Sequence, residues 1–362
     1  MSNPFPEVTV SPDTQTTSQR LANRIEASGP ISVAEYMRVA NTAYYGRADP
    51  LGADGDFITA PEISQMFGEM VGIWLSDIWL RRGRPSSCYY VELGPGRGTL
   101  AADALRTMKR FGFEPQVHFV ENSPVLREKQ LAAVPAAVFH DDVETLPTDV
   151  PLFIVANEFF DALPIVQMIA TNAGWHERVV VPDHSARFAA MPGLRSTDAL
   201  VPKQFRMASV GSIYETCPDA TLVMDKLSTR LSGQGGVMLT IDYGYVEPAL
   251  GSTLQAVQNH KYADPFSDPG NCDLTAHVNF HALSLRAQRS GLNVAGPCNQ
   301  GAWLSALGID QRAMSLAQAN PDRATEISAA RSRLVARESM GALFKVMATY
   351  AKGWPEPEGF AR

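Results

Sequence analysis

The segment Glu92-Leu93-Gly94-Pro95-Gly96-Arg97-Gly98-Thr99 constrains this chain more than any other. It follows the apolar run Tyr89–Leu93 and precedes an amphipathic stretch from Thr99 to Phe111, so it reads as a turn from a buried strand into a helix. Glycine at alternate positions lets the backbone turn sharply and lie close to a ligand, because any Cβ there would intrude. The helix start that follows presents unpaired N–H groups to an anionic group. A dinucleotide fingerprint, G-x-G-x-x-G, would need its third glycine at position 99, where Thr99 stands. The Gly-Lys-Ser/Thr of a phosphate-binding loop is absent.

Downstream, short apolar runs alternate with helical patterns: Gln116–Val120, the helix Ser123–Ala132, Ala137–His140, Pro151–Asn157, Gly236–Tyr243 and Leu343–Tyr350. That rhythm predicts a mainly parallel sheet covered on both faces, with Asn293–Cys298 and Leu343–Tyr350 as its last strands. Shorter alternating pieces break the pattern at about 165–212 and predict an inserted, partly antiparallel substrate-side subdomain. Ahead of the sheet, residues 1–20 read as a mobile tail and 21–87 as a helical extension. There Ser32 and Glu35 form a capping box after Ile31. The apolar surface of Ile63–Leu80 fits a core helix better than an interface. The main unit would then span 88–350, with a tail over 351–362.

Charge narrows the function. Lys and Arg number 31 against 38 Asp and Glu, a net charge of −7, which is the wrong sign for sequence-independent nucleic-acid binding. Four widely separated cysteines and seven scattered histidines predict no metal site. No apolar stretch reaches a membrane span. Residues 1–19 hold no Lys or Arg and include Glu7 and Asp13, so neither a secretory signal nor a mitochondrial presequence is expected, which points to the cytoplasm. Oligomeric state stays open, a homo-oligomer included.

The E-x-G-x-G-x-G form resembles the first motif of class I S-adenosylmethionine-dependent methyltransferases. The resemblance implies that Gly94, Gly96 and Gly98 wrap the methionine end of the cofactor, with Glu92 organising the loop. Glu121, after the next strand, stands where these folds hold two ribose hydroxyls, which a carboxylate accepts as a pair. Asp141 or Asp142, after the third strand, would read the adenine. After the fourth strand comes Asn157-Glu158-Phe159-Phe160-Asp161-Ala162-Leu163-Pro164, where Asn157 would face the cofactor. Glu158 and Asp161, three apart, would share one side of a helical turn. There they either hold a guanidinium fork or serve a helix start. Phe159 and Phe160 would wall the pocket.

Several segments together resemble the MidA family: the glycine turn, Asn157–Pro164, Gly55–Ser64, Phe67-Gly68-Glu69, Asp242-Tyr243-Gly244-Tyr245 and Asp273–Phe280. The likeness covers roughly 21–350. It implies a class I methyltransferase fold, a doubly wound seven-stranded sheet, and protein arginine N-methylation with Glu158 and Asp161 as catalytic acids. In mitochondrial relatives the acceptor is a complex I subunit and the protein assists that complex's assembly. The family pattern also marks Thr59 and Gln65 for cofactor contacts, with burial for structural reasons as the alternative for Gln65. His277 would orient substrate or accept a proton, unless it is a core histidine, and Tyr243 would line the substrate site. A cofactor-binding assembly factor without catalysis and a small-molecule methyltransferase remain as rivals.

Overall fold

The computed structural model describes residues 15–47, 59–183, 187–258 and 261–360. Gly55–Ile58 of the family-like segment therefore lies outside the described residues.

The central sheet contains β1 (Tyr89–Leu93), β2 (Gln116–Val120), β3 (Val138–His140), β4 (Leu152–Asn157), β5 (Gly236–Tyr245), β6 (Asn293–Asn299) and β7 (Phe344–Tyr350). Their spatial order is β3-β2-β1-β4-β5-β7-β6, with only β7 antiparallel to its neighbours. The two-residue strand Val278–Asn279 adds beside the end of β5. This is the seven-stranded doubly wound sheet expected from the sequence, carrying one small additional strand. All six residues of β4 and the first eight of β5 are buried, as apolar runs covered on both faces must be. The strand order reverses between β1 and β4, so the ligand crevice opens at their C-terminal ends.

A second, antiparallel sheet joins Val166–Thr171, Gly174–Pro182, Phe188–Ser196 and Ile213–Thr216 to the two-residue strand Ile31–Ser32. Ile31 and Ser32 pair with Val180 and Val179 just before α2 (Val33–Arg47), which follows α1 (Thr17–Ser28). Ser32 Oγ still accepts the Glu35 N–H at 3.1 Å, so the cap and the strand share one residue.

The N-terminal helices divide between two cores. Leu21, Ile25, Tyr36 and Met37 pack with Val180, Phe188 and Leu274 around the second sheet. The short α3 (Ala60–Ile63) leads into α4 (Gln65–Arg81), which joins the central core through Phe67, Met70, Trp74 and Ile78. Its apolar surface is thus interior. It crosses α5 (Thr99–Lys109) closely: a Cβ on Gly72 would stand 2.6 Å from the Ala104 carbonyl oxygen. α6 (Pro124–Ala133) follows β2, α7 (Pro218–Gln234) precedes β5, and α8 (Phe280–Arg289) follows it. Four helices then lie between β6 and β7: α9 (Gln300–Ala306), α10 (Ile309–Ala319), α11 (Ala324–Val335) and α12 (Met340–Leu343). No described helix is long and apolar enough to cross a membrane.

Candidate active site

A cleft of about 220 Å³ opens at the C-terminal ends of β1 and β4. Gly94, Gly96 and Gly98 all take positive φ (58°, 56° and 80°), the region in which a Cβ is strained, and Gly98 starts α5. The Gln130 amide on α6 ties the turn down, donating to the Gly96 carbonyl (2.8 Å) and to Glu121 Oε2 (3.0 Å). Glu121 Oε1 accepts the Ser123 N–H at 2.8 Å. Burial raises the Glu121 pKa against these bonds. Beneath the turn, buried Glu92 takes the Tyr90 hydroxyl at 2.5 Å, and burial pushes its carboxyl up to about 8.

The far wall is the segment after β4, and here the structure departs from the sequence expectation. Residues 158–164 form an irregular turn, not a helical one. Glu158 has φ +50°, an uncommon conformation for a residue with a Cβ, which costs on the order of 1–3 kcal/mol. The Asp242 carboxylate imposes this shape: it accepts the backbone N–H groups of Phe160 (3.0 Å), Asp161 (3.3 Å) and Tyr243 (3.0 Å). A side chain from β5 thereby replaces the hydrogen bonds that a helix would have supplied. The consecutive phenylalanines pack edge to face, ring centres 5.2 Å apart, with Phe159 lining the cleft and Phe160 a neighbouring pocket.

Glu158 Oε1 accepts the Ala60 N–H (3.2 Å) and the Asn157 amide (3.3 Å), and no described residue donates to Oε2. Burial, then the nearby Asp161, push the Glu158 carboxyl up to about 8. Burial also lifts Asp161, to about 6, against the Tyr243 hydroxyl, and burial with the nearby Asp161 and Glu158 raises Asp242 well above the usual carboxylate range. The acids therefore meet by convergence of two strand ends.

Of the residues marked from sequence, Thr59, Glu92, Gly94, Gly96, Glu121, Asn157 and Glu158 line the cleft. Asp161 sits just behind it. Asp141 is exposed and pairs with Arg127 at 2.5 Å, while Asp142 caps the turn at Val143 and faces Lys226. Neither lines the cleft. Gln65 donates to Glu69 (3.1 Å), whose carboxylate holds Arg312 through two bonds of 2.6 and 2.7 Å, so Gln65 belongs to a helix-packing network. His277 lines the neighbouring pocket, its ring edge-on to Tyr243 at 5.6 Å.

Tyr45, Glu62 and Arg97 are cleft residues that the sequence reading did not single out. Glu62 Oε1 takes the Thr99 hydroxyl at 2.5 Å and clamps α3 to the start of α5. Asp242 was within reach of the sequence, as an acid inside an otherwise apolar strand. No described residues form a metal-ligand group.

The cleft fits S-adenosylmethionine. The buried Asn157 Oδ1 has no partner among the described residues and offers an acceptor for an ammonium group. A Cβ on Gly94 would stand 3.2 Å from Phe159, narrowing the cradle. The Glu121 carboxylate keeps lone pairs for a diol beside the bonds it already accepts.

Comparison with known proteins agrees. Residues 70–298 match a family model described as S-adenosyl-L-methionine-dependent methyltransferase. The chain is 34% identical over 342 residues to "Protein arginine methyltransferase NDUFAF7, mitochondrial" of Xenopus tropicalis, covering 84% of this chain and 78% of that protein. The protein of the same name from Homo sapiens is 35% identical, covering 81% and 74%. A solved chain from Burkholderia thailandensis, bound to S-adenosyl-homocysteine, shares the fold with a TM-score of 0.81 at 24% identity, covering 96% of this chain and 94% of that one. The cytoplasmic expectation is overturned, because these relatives are named mitochondrial. That expectation rested on the lack of Lys and Arg in residues 1–19, a local composition that does not decide the compartment. The fold, the cleft and these relatives together make the chain an S-adenosyl-L-methionine-dependent methyltransferase of the MidA family.

Proposed function

We propose that the chain methylates an arginine side chain of a protein, through a site built from Glu121, Asn157, Glu158 and Asp161. The observation that carries this reading is Glu158 Oε2, a carboxylate oxygen in the cofactor cleft to which no described residue donates, with Asp161 next to it. Relatives named protein arginine methyltransferases support arginine as the acceptor.

When bound, S-adenosylmethionine supplies an electrophilic methyl group. Glu121 accepts the ribose hydroxyls, and Asn157 Oδ1 accepts the amino group. Glu158 accepts guanidinium N–H bonds, and the Asp161 charge just behind it favours the cation in that position. The arriving cation favours the ionised form of Glu158, so the proton that burial keeps on it leaves as substrate binds. Methylation of a guanidinium nitrogen releases one proton, and Glu158 receives it at Oε2. Phe159 keeps water from the reacting atoms.

The test is incubation with tritiated S-adenosylmethionine and candidate acceptors, starting with a respiratory complex I subunit, followed by acid hydrolysis. Label in methylarginine supports the reading. Label in a small-molecule fraction would replace the acceptor class. Tight S-adenosylhomocysteine binding with no label in any fraction would favour an assembly factor.

A further inference from the structure

Beside the cofactor cleft lies a second pocket, of about 320 Å³, that the chemistry above does not use. It opens at the end of β5, between the N-terminal ends of α7 and α8, on the same edge of the sheet as the cleft. The partition between the two is the Phe159–Phe160 turn, one ring facing each side. Its floor is bound to the acids: the Ala276 N–H donates to the Asp161 carbonyl at 3.0 Å, and the His277 ring meets Tyr243. With only the Phe159–Phe160 pair between them, a polypeptide placing an arginine against Glu158 can reach this opening with a residue a few positions away, at about 3.3–3.6 Å per extended residue.

The lining decides what enters. Phe160, Tyr214 and Tyr245 contribute aromatic surface. Both charged side chains at the wall are already engaged. Glu215 takes the Gln167 amide (2.6 Å) together with the Thr253 N–H (3.0 Å) and hydroxyl (2.5 Å), and Arg286 pairs with Asp225 at 3.4 Å. Glu215 thus turns its oxygens to neutral internal donors and Arg286 turns to an acid, so neither presents a free hydrogen-bonding group to the pocket. His277, kept neutral by burial, and Asn279 supply polar contacts. The volume stands at the low end for ligand pockets, roughly 300–1,000 Å³, which suits one large side chain.

We propose that this pocket is a specificity pocket that takes a neutral aromatic side chain of the acceptor protein, close in sequence to the methylated arginine. The inference rests on the arginine reading and adds the neighbour that the enzyme selects.

The probes are 4-methylphenol, 3-methylindole and n-butylammonium, titrated by ligand-observed NMR into the full chain saturated with S-adenosylhomocysteine. The aromatic probes bind in the millimolar range and at least about tenfold better than butylammonium. The pocket-filling variant Ala282→Phe weakens them by about tenfold or more with S-adenosylhomocysteine affinity unchanged. Thr221→Phe, on the opposite wall, does the same if Ala282→Phe fails to fold. Unchanged aromatic binding in a folded filled variant overturns the proposal, as does preference for butylammonium. So does a labelled acceptor with no aromatic residue within about three positions of its arginine. Calorimetric titration of S-adenosylhomocysteine into the same preparation before it is saturated separates the two readings. Without S-adenosylhomocysteine binding the methyltransferase reading falls and takes this one with it. With that binding but no aromatic binding, only the pocket proposal falls.

Discussion

The buried carboxylate of Asp242 accepts the backbone N–H of Asp161 at 3.3 Å, and through the same oxygen that of Phe160 at 3.0 Å. One side chain on β5 thus sets the path of the turn after β4, and with it the directions of Phe159, Phe160 and Asp161. Asp242 touches no ligand position in the cleft, so its part in catalysis is positional.

Asp242→Asn presents an amide where two acceptor oxygens stood and leaves a turn N–H without its partner. The expected stability loss is about 1–3 kcal/mol in urea unfolding. Turnover should fall by about 100-fold, the scale for a misplaced group near the chemistry, with S-adenosylhomocysteine affinity held within about threefold. Retained turnover would deny Asp242 this role.

Glu158 gives a pH dependence with a defined sign. Its carboxyl is raised from 4.5 to about 8, so the native state binds a proton that the unfolded chain has released. Its contribution to stability is full at low pH and declines as pH rises from about 4.5 to about 8. Catalysis runs the other way, because the guanidinium needs the carboxylate. The kcat/KM for the acceptor should climb toward pH 8 and then level. Glu158→Gln should flatten that stability decline in thermal unfolding and lower kcat by about 100-fold or more.

Cofactor contacts divide by position. Glu121→Ala should weaken S-adenosylhomocysteine by about 1.5–3 kcal/mol in calorimetry, the worth of hydrogen bonds to a charged group. Asp141→Ala and Asp142→Ala should change it by no more than about threefold, since both side chains face Arg127 or Lys226 outside the cleft. Equal losses at all three positions would redraw the adenosine site.

The Gln65-Glu69-Arg312 network predicts a structural effect alone. Glu69→Ala removes the partner of the part-exposed Arg312, so about 1–3 kcal/mol of stability should be lost. Gln65→Ala should leave cofactor affinity within about twofold, checked in the same titration.

What the sequence determined by itself was set by local and periodic chemistry. Alternating glycines after an apolar strand admit few backbones, and buried runs separated by helical patterns specify a covered parallel sheet. The turn, Glu121 and the acids after β4 were therefore legible before any coordinates. Tertiary structure decided how distant elements share those acids. A spacing of three suggested a helical face for Glu158 and Asp161, because sequence separation is blind to a carboxylate 81 residues away from Asp161 that captures the turn's N–H groups. Gln65 looked like a cofactor ligand for a similar reason. Its amide turns one helical turn along α4 to Glu69, only the crossing of α4 with α10 brings Arg312 onto that carboxylate, and the packing of β5, α7 and α8 alone creates a pocket behind Phe160. Such contacts depend on which strand ends meet in space, and no run of residues records that.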